Sequence, residues 1–69
     1  MNRIRITVIS PLGTFVSDVS EPVSESDIEG VTRMIKTENL TYFSILVNDV
    51  EVIFKEDTIK NSIISIEIV

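Results

Sequence analysis

Three pairs of neighbouring carboxylates are the side chains in this chain whose type and spacing could support catalysis. These pairs are Asp27 with Glu29, Asp49 with Glu51, and Glu56 with Asp57. General acid–base chemistry needs two carboxyl groups in one cleft, in environments that push their pKa values apart. Each pair falls instead in a segment predicted to be a helix start, a hairpin tip or a polar loop, where carboxylates are ordinarily solvated. With no His and no Cys in the chain, the sequence predicts a protein that is not an enzyme.

A run of acidic residues without any intervening basic residue is the second candidate for chemistry. Its members are Asp18, Glu21, Glu25, Asp27 and Glu29. Carboxylate oxygens at this density could hold Ca²⁺ or Mg²⁺ weakly, but the spacing lacks the EF-hand pattern and its Asp/Asn-Gly turn. We therefore expect no metal ion and no cofactor. Two interpretations stay open: acids placed at the helix start that the helix dipole favours, or a surface that binds a basic protein partner.

Arg3 and Arg5 project from one face of the first predicted strand and are the only candidates for contact with a phosphate. Six Lys and Arg residues against eleven Asp and Glu residues give a net charge of −5, which disfavours nucleic-acid binding because that binding depends on neutralising phosphates. The two glycines, Gly13 and Gly30, belong to no phosphate-binding loop. Nucleic acid is therefore an unlikely partner.

The composition indicates one small globular domain spanning residues 1–69. Of its residues 43% are hydrophobic, and Ile and Val alone supply 21, so the chain is not a disordered one. No run approaches the roughly 18 apolar residues that span a bilayer, and the region after Met1 has no signal-peptide pattern. We expect a cytoplasmic protein with no membrane partner. In its size, its skewed composition and its lack of catalytic residue types, the chain resembles the short accessory reading frames of bacterial viruses.

The elements that position these residues follow from periodicity. Residues 3–8 and 14–19 predict a hairpin of two strands, joined by the turn Ser10-Pro11-Leu12-Gly13. Ser24 fits the N-cap of a helix of about three turns with one apolar stripe. Residues 40–47 and 50–55 flank Asn48-Asp49 and predict a tight hairpin, and residues 62–69 form the last strand after one possible helical turn. The expected fold class is α+β, a ββαβββ domain with a mostly antiparallel sheet and one helix packed on one face.

Two expectations about packing follow from this arrangement. The first is a core whose members are nearly fully buried: Ile6, Val8, Ile35, Val52 and Ile66. The second concerns the last strand, which is apolar on much of both faces and is therefore either central in the sheet or covered by another chain. Surplus apolar surface of this kind predicts self-association through the sheet, with Ile53, Ile63 and Val69 as candidate contacts and Glu67 at the rim.

The function expected from these observations is macromolecular interaction by a small acidic protein, an adaptor or an inhibitor, that forms a homo-oligomer. One alternative is a structural subunit of a larger assembly. Another is an oligomer that sequesters a small ligand between its subunits, with Arg3 and Arg5 as the candidate phosphate contacts.

Overall fold

The segments with strand and helix periodicity form the expected elements. The computed structural model describes residues 1–37 and 39–69. Within them lie the strands β1 (Ile4–Ser10), β2 (Gly13–Val16), β3 (Tyr42–Val47), β4 (Val50–Lys55) and β5 (Ile63–Ile68), and the helices α1 (Glu25–Thr37) and α2 (Glu56–Lys60). The predicted α+β class and the ββαβββ order of elements along the chain are confirmed. Neither helix in this part of the chain is long and apolar enough to cross a membrane.

The five strands divide into two antiparallel sheets rather than one. The first sheet has the order β2-β1-β5 and the second contains only β3 and β4. β1 is therefore the central strand of the larger sheet, and β5, for which a central place was one expectation, lies at its edge. The sheets are linked where the Asp18 N–H donates to the Leu46 carbonyl oxygen at 2.7 Å.

Two serine hydroxyls continue the pairing of β1 beyond the end of β2. The Ser17 Oγ accepts from the Ile6 N–H at 2.8 Å, and the Ser20 Oγ accepts from the Ile4 N–H at 2.9 Å. The N–H groups of the same serines donate to the carbonyl oxygens of Ile6 and Ile4. At both positions a serine Oγ thus takes the place of the backbone carbonyl oxygen that would accept the hydrogen bond in a regular strand. This is why β2 ends at Val16 rather than at the predicted residue 19.

The β3–β4 hairpin turns on two residues with left-handed backbone. Asn48 has φ 52° and Asp49 has φ 64°, as the two-residue connection predicts for a turn whose twist matches that of the strands. The register pairs Phe43 with Phe54 and Leu46 with Glu51. Glu51 therefore points away from the core.

Helix α1 begins at a side-chain cap and lies against β5. The Ser24 Oγ accepts from the Asp27 N–H at 3.2 Å, so the predicted N-cap is confirmed. The apolar stripe of α1, which includes Ile28 and Ile35, is half-buried, and α1 has no fully buried residue. Ile28 lines a small cavity together with Ile68 of β5.

The core lies where the inner faces of the two sheets meet. Its buried residues are Val8, Phe43, Ile45 and Phe54, with Ile4 buried nearby. The Phe15 and Phe54 rings pack edge to face, with centroids 5.3 Å apart.

Of the five residues predicted to be nearly fully buried, only Val8 is, at 1% exposure. The prediction was wrong for four half-buried residues: Ile6, Ile35, Val52 and Ile66. The molecule measures 15 Å along its shortest axis, so it has two layers and a small central zone that is covered from both sides. Residues away from that zone keep one flank in water.

Candidate interaction surfaces

The outer face of the three-stranded sheet carries an apolar patch. The register places Ile9 of β1 between Thr14 of β2 and Ile63 of β5, and Val16 lies in the adjacent row beside Thr7. Ile9, Val16 and Ile63 are all exposed, and Ile63 is 67% exposed. We call this surface, together with the exposed Val69, the outer sheet face.

Arg5 is paired on the same face. Its Nε donates to Glu67 Oε1 at 2.8 Å, and its Nη2 also contacts this oxygen. Arg3 donates from Nη1 to the Ser20 carbonyl oxygen at 3.4 Å. Arg5 therefore meets a carboxylate rather than an open phosphate site, and Glu67, expected at the rim of an interface, is held in this ion pair.

The outer face of the β3–β4 hairpin is a second apolar surface. Tyr42, Leu46 and Ile53 point away from the core and are exposed. Glu51 and Lys55 interrupt them on the same face. The three predicted self-association residues therefore lie on two surfaces: Ile63 and Val69 belong to the outer sheet face, and Ile53 belongs to this hairpin face.

Asp18, the first member of the acidic run, holds the hairpin turn. Its Oδ1 accepts from the Asn48 N–H at 2.8 Å and its Oδ2 accepts from the Asp49 N–H at 3.0 Å. These two hydrogen bonds, that from Asp49 first, lower the pKa of the Asp18 carboxyl group. The sequence gives no signal for this contact, because it joins residues 30 positions apart.

The other four acids of the run are exposed but point in different directions. Glu25 and Glu29 lie one helical turn apart and line a cavity of about 220 Å³ beside Ile68. Asp27 lies about 200° around the helix axis from Glu25, on the opposite flank of α1. Glu21 lies in the loop before α1. The run is therefore spread over several surfaces and does not form one cluster.

The carboxylate pairs do not converge in a catalytic cleft. Asp27 and Glu29 lie on different flanks of α1, and Glu56 pairs with Lys60 at 2.9 Å. The hydrogen bond to Glu56 raises the pKa of Lys60. Within residues 1–37 and 39–69, no group of three or more acidic side chains is placed to hold a metal ion.

A groove of about 310 Å³ between β1 and β3 is lined by apolar, hydroxyl and carboxylate side chains. Asp18, Glu21 and Asp49 lie along it, with Ser17 and Ser20. The Asp18 carboxylate and both serine hydroxyls are used in the backbone hydrogen bonds described above. Three of the polar side chains along the groove, Ser17, Asp18 and Ser20, therefore hold the surrounding backbone together.

Comparison of this chain with protein-family models, with curated proteins and with solved structures gave no match in any of the three.

Proposed function

We propose that this protein is a non-enzymatic interaction protein that self-associates through its sheet and binds a second macromolecule as an adaptor or inhibitor. The observation that carries the proposal is the exposure, among the residues that the structure describes, of twelve large apolar side chains against five buried ones. The accessible surface is 4958 Å², whereas a compact monomer of 7.8 kDa has about 4,400 Å². Apolar surface exposed in contiguous patches usually belongs to an interface.

The charge of the chain supports a partner with a basic surface. The net charge is −5, and Glu21, Glu25, Asp27 and Glu29 are exposed on several surfaces in and before the first half of α1. Complementary potentials steer the encounter of two proteins and select against partners of like charge. The composition also fits an accessory protein of a bacterial virus that acts in the host cytoplasm.

A second candidate function is that of a structural subunit in a larger assembly. The outer sheet face and the hairpin face are separate apolar surfaces, and a subunit with two such surfaces can contact two neighbours. A ligand-sequestering oligomer has less support, because Arg5 is occupied by Glu67.

Affinity capture with matched charge-reversal variants tests the proposed partner. The tagged full chain is compared with E21K/D27K, and with the control E51K/D57K, which changes the net charge equally at exposed sites elsewhere. We expect a bound protein with a basic surface that is lost with E21K/D27K and retained by E51K/D57K, with binding that weakens as salt rises. Equal capture by all three chains would contradict an acidic docking surface.

A further inference from the structure

The free edge of β5 is the surface of this molecule best suited to bind a second copy of the chain. The Val69 N–H donates to the Arg3 carbonyl oxygen, and the register continues from this pair through Arg5 with Glu67. In an antiparallel ladder the backbone groups of alternate residues point to opposite sides. The odd-numbered residues of β5 therefore bond to β1, and the even-numbered residues point away from it.

Ile64, Ile66 and Ile68 thus each present one N–H and one C=O at the edge of the sheet. None of these groups has a hydrogen-bond partner in the part of the chain that the structure describes. Native edges are usually protected by Lys, Pro or a bulge. β5 has neither Lys nor Pro, and its one charged residue, Glu67, is paired with Arg5. The free edge of β4, by contrast, is flanked by the exposed charges of Glu51 and Lys55.

The crease between α1 and β5 adds a self-complementary row of charge beside this edge. Glu25 and Glu29 line the crease next to Ile68. Lys36 lines it next to Ile64 at the other end, in a cavity of about 190 Å³. The row is acidic near the N-terminus of α1 and basic near its C-terminus, so an antiparallel copy brings opposite charges together.

We propose that two copies of this chain pair their β5 edges antiparallel about a two-fold axis at Ile66, which joins both larger sheets into one. Ile66 then faces Ile66 of the second copy, and Ile64 faces Ile68, so every free N–H and C=O of these residues is paired. On the outer sheet face Ile63 meets Val69 of the second copy. Lys36 comes beside Glu25 and Glu29 of the second copy.

Neighbouring registers satisfy these groups less well. A shift that centres the axis on Glu67 opposes two like charges, which destabilises a sheet, and moves Ile64 past the end of β5 of the second copy. A shift that centres it on Ser65 places Ile68 opposite Ser62, which lies outside β5. The Ser62 N–H already donates to the Ile59 carbonyl oxygen at 3.2 Å, so the Ile68 carbonyl oxygen stays unpaired. The inference rests on the self-association in the proposed function and specifies its geometry; the acids tested there, Glu21 and Asp27, lie outside this interface.

Disulfide trapping in the full chain tests the register, because the protein has no cysteine of its own. In the proposed dimer Ser65 faces Glu67 of the second copy in a non-hydrogen-bonded pair, with Cα atoms about 4.5 Å apart, within disulfide range. A mixture of S65C and E67C, each with a different tag, should therefore form the mixed disulfide. S65C alone and E67C alone should form little. A dominant S65C homodimer would overturn the register centred on Ile66, and the absence of any disulfide above an unfolded control would overturn the edge pairing.

Ile66→Pro is the second arm, measured by light scattering over a range of concentrations. It removes an N–H that points to the free edge and no N–H that bonds to β1, whereas Ile66→Val keeps the donor. We expect dimerisation at least about tenfold weaker for I66P and near wild type for I66V, since two intermolecular hydrogen bonds are lost. Circular dichroism of the I66P monomer checks that it folds. A folded I66P that dimerises as tightly as I66V would contradict the proposal.

A charge swap on α1 is the third arm and leaves β5 unchanged. E29K alone places lysines opposite one another and should weaken the dimer, while E29K/K36E restores opposite charges and should recover it. Failure of recovery would overturn the α1 contact.

The three arms together separate this geometry from self-association in general. If the wild-type chain dimerises but none of the three arms gives the expected result, the dimer forms through another surface. A wild-type chain of 7.8 kDa at micromolar concentration would remove the self-association on which this inference depends, whereas partner binding is decided by the capture experiment.

Discussion

Phe54 and Ile53 are neighbours in β4, yet Phe54 is 5% exposed and Ile53 is 57% exposed. The same contrast runs through the molecule, between the inner faces that form the core and the outer faces of both sheets. Alternation along a strand assigns its residues to two faces, but here large apolar residues stand on both faces. What separates them is coverage: the inner faces pack on each other, whereas no element within residues 1–37 and 39–69 covers the outer faces.

The largest expected effect on stability comes from truncating an inner-face side chain, compared with an outer-face side chain beside it. Phe54→Ala removes a ring that packs on Phe15 and on the core, and should lower the free energy of unfolding by about 3–5 kcal/mol. Ile53→Ala, one residue away, should change it by less than about 0.5 kcal/mol in the monomer. Urea denaturation at low protein concentration measures both. Equal losses would show that the hairpin face is already covered in the folded monomer.

Some features of these strands and of α1 could be predicted from the sequence and others could not. Capping and turn chemistry predicted the helix cap at Ser24 and the Asn48-Asp49 turn. These are local signals, each decided within a few residues. The division into two sheets was not predictable in this way, because it depends on which strands pair over long sequence separations, such as β1 with β5.

The candidate surfaces were predicted less completely than the fold. Surplus apolar residues in the last strand indicated exposure, and Ile63 is indeed exposed. The sequence did not predict that Ile53 and Ile63 lie on different sheets, nor that Asp18 binds the hairpin turn while Glu25 and Glu29 line a crease on α1. Such placements depend on contacts between residues far apart in the chain, for which a periodic pattern holds no information.

The second prediction compares the two outer faces. Ile63→Lys places a charge on the outer sheet face, and in light scattering the variant should have a lower mass than the wild-type oligomer. The stability of the monomer should change little, because Ile63 is exposed. Ile53→Lys should have a smaller effect, because Glu51 and Lys55 already interrupt the hairpin face with charge. A greater loss of association with I53K would assign the interface to the hairpin.

The smallest expected effect concerns the exposed contact between the sheets, at Asp18. Hydrogen bonds from the Asp49 and Asn48 N–H groups lower the pKa of this carboxyl group from its ordinary value of 3.8, so folding favours the ionised form. The resulting stability is present above the unfolded pKa and is lost as pH falls through the lowered folded value.

Asp18→Asn should therefore reduce stability near pH 7, where it removes the charge that accepts both hydrogen bonds, and the difference from wild type should close in acid. Asp57→Asn is the control, since the Asp57 carboxylate makes no hydrogen bond within residues 1–37 and 39–69. Unfolding free energies measured from pH 7 to strongly acidic pH give both curves. A stability difference between D18N and wild type that stays constant on acidification would contradict this account. It would mean that protonating Asp18 does not change the stability of the fold, so that the ionised carboxylate is not what holds the turn.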